Sequence, residues 1–153
     1  MEQIRYKWTD GSDEDFQRFY LATEEFYSSI VGGEKNRKGF IPYNISQNIG
    51  TVIIAYIGDT AVGCAGLKSY SHTDAEIKRV WVEPKNRRHH IAADMMKMIE
   101  ETARNMYFKR TVLQTREAMA EAVSLYEKLG YYRIENYPPY DKLEGAVCYA
   151  KDL

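Results

Sequence analysis

A chain of 153 residues with 44% hydrophobic residues is long enough to bury one core and too short for two domains of useful size. Its 21 basic and 22 acidic residues leave a formal net charge of −1, so no global field directs it to DNA, RNA or an anionic membrane, and any anion site must be local. The longest apolar stretch, Val52 to Ile57, is far too short to span a bilayer. The start, with Glu2 and Arg5, lacks the apolar segment of a secretory signal, so the expectation is one domain over residues 1–153 in the cytoplasm.

In chain order, Ile4 to Trp8 alternate in polarity and predict a strand. Residues 12–15 then read as a capping box opening on Ser12, ahead of a helix carrying Phe16, Phe19, Tyr20, Phe26, Tyr27 and Ile30 near helical spacing. Gly32 and Gly33 stop it. Glu34 to Gly50 is an irregular or short helical connection whose length and polarity suit a substrate-side lid, with Asn36, Arg37, Tyr43 and Asn44 in reach of an acceptor.

Three strands follow in close order: Thr51 to Ile57, Ala61 to Tyr70 and Ala75 to Val82, joined by turn chemistry and forming an antiparallel meander. The parity of apolar residues changes between Ile77 and Val80, as an inserted bulge residue would cause. Pro84 ends the run. Ile91, Ala92, Met95, Met96, Ile99 and Ala103 mark an amphipathic helix from about Ile91 to Met106. Arg110 to Thr115 is a strand parallel to the one before the helix, closing a βαβ unit. A helix from about Ala120 to Leu129 stops at Gly130 as a left-handed cap, and Tyr131 to Asn136 and Ala146 to Lys151 are the last strands. The whole is an α/β domain with a mixed sheet. Cys64 and Cys148 fall within apolar strand runs and read as buried thiols.

The chemistry concentrates between Trp81 and Asp94. There a strand stops at a proline, a short loop carries Arg87, Arg88, His89 and His90, and a helix begins at Ile91, Ala92 and Ala93. The first turn of a helix presents unpaired N–H groups and the positive end of its dipole, and two arginines beside it add charge-assisted contacts. That combination suits a pyrophosphate, although the arginines could also form an exposed basic turn. His72, His89 and His90 do not make a ligand set, so no metal is expected.

The pattern Val82-x-Pro84-x-x-Arg87-x-x-x-Ile91-Ala92 resembles the acetyl-CoA signature of the GNAT acetyltransferase superfamily, whose core is Arg/Gln-x-x-Gly-x-Gly/Ala. Ala75 to Val82 resembles its fourth strand, Ala122 to Tyr131 its helix pattern A-x-x-L-Y-x-K-x-G-F/Y, and Val147 to Leu153 its last strand. The family usually has glycine at the positions of Arg88 and His90, whereas this loop contains none. The resemblance implies a mixed, mostly antiparallel seven-stranded sheet flanked by helices on both faces. It implies acetyl-CoA as co-substrate, bound by Val80, Trp81, Val82, Arg87, Arg88, His89, His90, Ile91, Ala92 and Ala93, without a metal.

Within that resemblance, a bulge splays the fourth strand from the next, so that the backbone of Val80, Trp81 and Val82 pairs with the pantetheine arm and offers an N–H to the thioester carbonyl. Tyr126 matches the helix tyrosine near the CoA sulfur and is the candidate general acid; its alternative is an aromatic packed on the sheet. Glu76 matches a strand glutamate that serves as base, with a solvated carboxylate paired to Lys78 or Arg79 as the alternative. Tyr132, Tyr137 and Tyr140 with two prolines read as a packed or interface loop, with a place in the acceptor pocket as the alternative. The implied activity is N-acetyl transfer to a small-molecule or amino-acid-like amine, with no nucleic-acid or membrane partner and a homodimer as one arrangement. A non-catalytic acyl-CoA-binding or protein-interaction module and a protein acetyltransferase are the competing classes; the acceptor itself is not legible.

Overall fold

The computed structural model describes residues 3–31 and 49–153; the stop at Gly32 and Gly33 and nearly all of the expected lid, with Asn36, Arg37, Tyr43 and Asn44, lie outside them. Ten main elements follow in order: β1 (Ile4–Thr9), α1 (Glu14–Val31), β2 (Thr51–Ile57), β3 (Thr60–Ser69), β4 (Asp74–Val82), α2 (Ile91–Asn105), β5 (Arg110–Arg116), α3 (Ala120–Lys128), β6 (Tyr132–Ile134) and β7 (Ala146–Asp152). They build one seven-stranded sheet in the order β1-β2-β3-β4-β5-β7-β6. Every pairing is antiparallel except β4 with β5, which α2 connects as the expected crossover.

Most boundaries fall within a residue of expectation, and two of the differences have a plain local reason. The cap of α1 is Asp13, not Ser12: the Asp13 carboxylate accepts the backbone N–H groups of Asp15 at 2.9 Å and Phe16 at 3.1 Å. Ser12 turns back instead, its N–H bonding Asp10 Oδ1 at 2.9 Å. β6 is shorter than expected because Tyr131 still belongs to the helix stop. Gly130 lies at φ 93°, and the Tyr131 N–H bonds the Tyr126 carbonyl at 3.0 Å.

Helices cover both faces. Met95, Met96 and Ile99 of α2 are fully buried against Ile53, Ala65, Ile77 and Leu113, and α3 adds Tyr126 to this cluster. Each such side chain contributes about 2 kcal/mol through burial, which fixes the apolar stripe of α2 to the sheet. On the opposite face Phe16 and Phe19 of α1 pack on Val52, Ile54, Tyr56, Cys64 and Trp81, while Tyr140 packs on Ala146 and Cys148. Both cysteines are buried and unpaired, as expected.

The bulge is present in β4. Cys64 faces Trp81 and Gly66 faces Lys78, so two steps along β3 oppose three along β4. Arg79 takes up the extra residue at φ 58°. Its side chain joins α1 at Glu24, so the parity change returns Val80 and Val82 to the α2 face and leaves Trp81 on the α1 face.

Candidate active site

β4 and β5 pair only from Asp74 to Glu76, opposite Arg110 to Val112. Beyond Glu76 the two strands part, and the gap opens into a cleft of about 1440 Å³. Its walls are β4 from Glu76 to Val82, residues 114–116 of β5, the first turn of α2 and the length of α3. Of the predicted site residues, Glu76, Val80, Trp81, Val82, Arg87, Arg88, His90, Ile91, Ala92, Ala93 and Tyr126 line this cleft. His89 does not; it is exposed outside the wall.

At the mouth, Arg87 fastens the loop rather than standing as an exposed basic turn. Its Nε donates to the Val82 carbonyl at 2.8 Å, and its guanidinium lies 4.9 Å from the Trp81 ring centroid. Arg88 and His90 have φ of 69° and 64°, the left-handed conformation that glycine adopts without a steric cost. The glycine-free loop therefore keeps a glycine-like backbone. α2 follows directly, its first bond running from the Asp94 N–H to the His90 carbonyl, so helix geometry leaves the preceding N–H groups for a ligand.

Tyr126 enters the cleft from the α2–α3 face, buried, with its ring centroid 6.0 Å from that of Tyr131. Tyr131 in turn donates to Glu100 at 2.9 Å, and Lys151 closes the group on Glu100 at 2.9 Å. From the opposite face comes a second polar group. Glu76 is only 4% exposed, so it is not a solvated strand carboxylate. It accepts a hydrogen bond from Tyr137 at 2.8 Å and lies 3.9 Å from Lys78, which donates to the Tyr140 hydroxyl at 2.8 Å. Burial pushes the Lys78 ammonium down to about 8, opposed by the Glu76 charge. The indole N–H of Trp81, also in the wall, is buried without a hydrogen-bond partner among the described residues.

Lys78 was expected only as a surface partner of Glu76, and Tyr137 and Tyr140 first of all as a packed or interface loop. Glu76 and Lys78 share a strand face by their spacing of two, which was the available signal. Nothing local brings the loop at 137–140 beneath them.

The buried lysine has a measurable consequence. Unfolded, a lysine keeps its proton up to about pH 10.4; folded, Lys78 releases it near 8. Between those values the unfolded chain binds more protons, so this group makes stability rise with pH. Urea unfolding from about pH 8 to 10 is expected to show the wild type gaining on Lys78→Met across that window. A constant difference would show that Lys78 titrates normally.

A family model described as the acetyltransferase (GNAT) family matches residues 8–131, which include the whole of β4, the loop, α2 and α3. The chain belongs to the GNAT family. One relative of this GNAT chain is YjgM, an uncharacterized N-acetyltransferase of Escherichia coli, 31% identical over 86 residues. The match takes in 54% of this chain and spans about half, 51%, of that relative's length. In three dimensions the chain is similar to a Klebsiella pneumoniae protein named as an acyl-CoA N-acyltransferase, with a TM-score of 0.81 at 19% identity, covering 99% of this chain and 98% of that one. It is also similar to a GNAT family acetyltransferase of Elizabethkingia anophelis solved with acetyl-CoA bound, with a TM-score of 0.70 at 17% identity over 100% of both chains. These likenesses establish the expected fold. Among the described residues no group of three or more histidine, cysteine, aspartate or glutamate side chains could hold a metal, and no helix is long and apolar enough to cross a membrane.

Proposed function

We propose that this GNAT chain, acting as a single unit over residues 1–153, is an N-acetyltransferase that moves an acetyl group from acetyl-CoA to the primary amine of a small-molecule or amino-acid-like acceptor. The observation that carries this reading is the gap between β4 and β5, with a helix N-terminus at its mouth and Tyr126 and Glu76 reaching it from opposite faces.

The residues present fit the co-substrate. The N–H groups opening α2 and the Arg88 guanidinium suit the pyrophosphate, while Arg87 holds the loop that presents them. Val80, Trp81 and Val82 offer backbone groups to the pantetheine arm, and an N–H aimed at the developing oxyanion contributes about 3 kcal/mol. The orphan Trp81 N–H is a further donor for a ligand in the cleft. In this reading Glu76 takes the proton of the amine, through Tyr137 or a water, and Tyr126 protonates the leaving thiolate. The amine attacks the thioester directly in a ternary complex, with no covalent intermediate on the path to product.

Isothermal titration with acetyl-CoA and with CoA, at low and moderate salt, tests the co-substrate. Salt-sensitive micromolar binding is expected, followed by thiol release on a panel of amines. Binding without turnover on any amine would move the chain to the non-catalytic class.

The loop supplies a sharper test. Because Arg88 and His90 already hold left-handed φ, replacing both by glycine is expected to relieve no obstruction and to lower acetyl-CoA affinity through loss of the Arg88 guanidinium. A large gain would mean that the side chains obstruct the phosphates, the mark of a degenerate binding module.

A further inference from the structure

Lys78 occupies an unusual place in this cleft. It is the second residue of β4 beyond the last pairing with β5, and its side chain lies on the α1 face. From there it reaches past β5 to the hydroxyl of Tyr140, which packs on Ala146 and Cys148 of β7, the next strand in the sheet. The amine thus lies between Glu76 and Tyr140 on the wall of the cleft, on the face opposite Tyr126. An acceptor amine entering from the α1 face would have to occupy that same region.

We propose that Lys78 is itself an acyl acceptor, a self-acetylation site within the cleft. The inference rests on acetyl-CoA binding there as proposed above. The Lys78 Nζ lone pair attacks the carbonyl carbon of the thioester, a C–N bond forms and the C–S bond breaks. The amine loses one proton and the CoA thiolate gains one, so the products are Nε-acetyl-lysine and CoA thiol. No other reactant is needed, and the amide formed is a dead end rather than an intermediate.

Two physical terms favour this lysine over the others. Lys78 lines the cleft proposed to hold acetyl-CoA, so attack on a thioester bound there would be effectively unimolecular. The surroundings also favour the neutral, nucleophilic form. Burial is the largest cause, Lys68 of β3 and Arg79 repel the charge, and Glu76 opposes them; Tyr137, Tyr140, Cys148 and, packed on Tyr137, Tyr70 are further titratable groups on this face among the described residues. With an ammonium at about 8, about one tenth is neutral at pH 7, against roughly one in several thousand for an ordinary lysine.

The full chain is incubated with acetyl-CoA and no amine, then read by intact mass and peptide mapping, beside titration of acetyl-CoA binding. A single added acetyl group on Lys78 is expected, formed at least about ten times faster than at any other lysine and faster as pH rises from about 7 to 9. Lys78→Arg is expected to bind acetyl-CoA and gain no acetyl group. Acetyl-CoA binding with Lys78 unmodified, or acetyl groups spread over surface lysines at the same rate in Lys78→Arg, overturns this inference and leaves the transferase reading standing. Failure to bind acetyl-CoA at all overturns both.

Discussion

Replacing Tyr126 by phenylalanine is expected to lower kcat by about 100-fold or more while acetyl-CoA affinity stays within about twofold. The reason is positional. Tyr126 is a buried residue of α3 whose ring belongs to the core under α2, so removing one oxygen leaves the packing intact. Tyr126 lines the cleft from the face opposite Glu76, where the leaving thiolate would need a proton. A pure packing role predicts the reverse pattern, a stability change with kcat unaltered. Steady-state kinetics against acetyl-CoA, with urea unfolding of the same variant, separate the two. Full activity at every pH would remove Tyr126 from the role of acid.

The second large effect is on the bulge. Arg79→Met is expected to destabilise the fold by about 3 kcal/mol, because it leaves the Glu24 carboxylate without its buried cation. The Arg79 side chain is 2% exposed, meets Glu24 at 2.5 Å, and lies over the Tyr20 ring at 4.3 Å. This links α1 to the residue that takes up the register shift in β4. For a chain of this size the loss corresponds to a fall in Tm of roughly 6–12 °C. Methionine keeps most of the apolar stem, so the effect reads the charge rather than lost volume. Adding Glu24→Gln to Arg79→Met is expected to recover part of the loss, since the carboxylate that lost this cation is then neutral. Because the bulge lies in the stretch of β4 that parts from β5 and lines the cleft, the single variant is also expected to raise KM for acetyl-CoA. An unchanged Tm would show that the pair does not hold the bulge.

Much of the fold was legible because it rests on local pattern. Alternation placed β2, β3 and β4 within a residue of their ends, helical spacing placed α2, and Gly130 marked a real left-handed cap. The parity change after Ile77 anticipated the bulge, although only the structure shows that Arg79 takes it up. The N-cap fell one residue from its expected place because Asp13 and Ser12 both offer oxygens. Asp13 is also held by Lys7 at 3.2 Å and Thr9 at 3.1 Å, contacts that depend on β1.

The loop before α2 shows where sequence and structure divide. Its order of strand, proline, basic residues and helix marked an anion site by itself, because helix ends expose N–H groups wherever they occur. That Arg87 would turn back onto Val82 and Trp81, and that His89 would fall outside the cleft, depended on the path of the chain through the loop. The group around Glu76 divides in the same way. Glu76 and Lys78 share a strand face by periodicity alone, but their partners Tyr137 and Tyr140 are 61 and 62 residues away. They arrive only because β7 inserts between β5 and β6 and carries the preceding loop under the open end of β4. The sequence by itself therefore determined the elements, their faces and the anion-binding loop, all consequences of backbone geometry within a few residues. The tertiary structure alone decided which charges are buried together, because that depends on strand order, and strand order joins residues that local periodicity never relates.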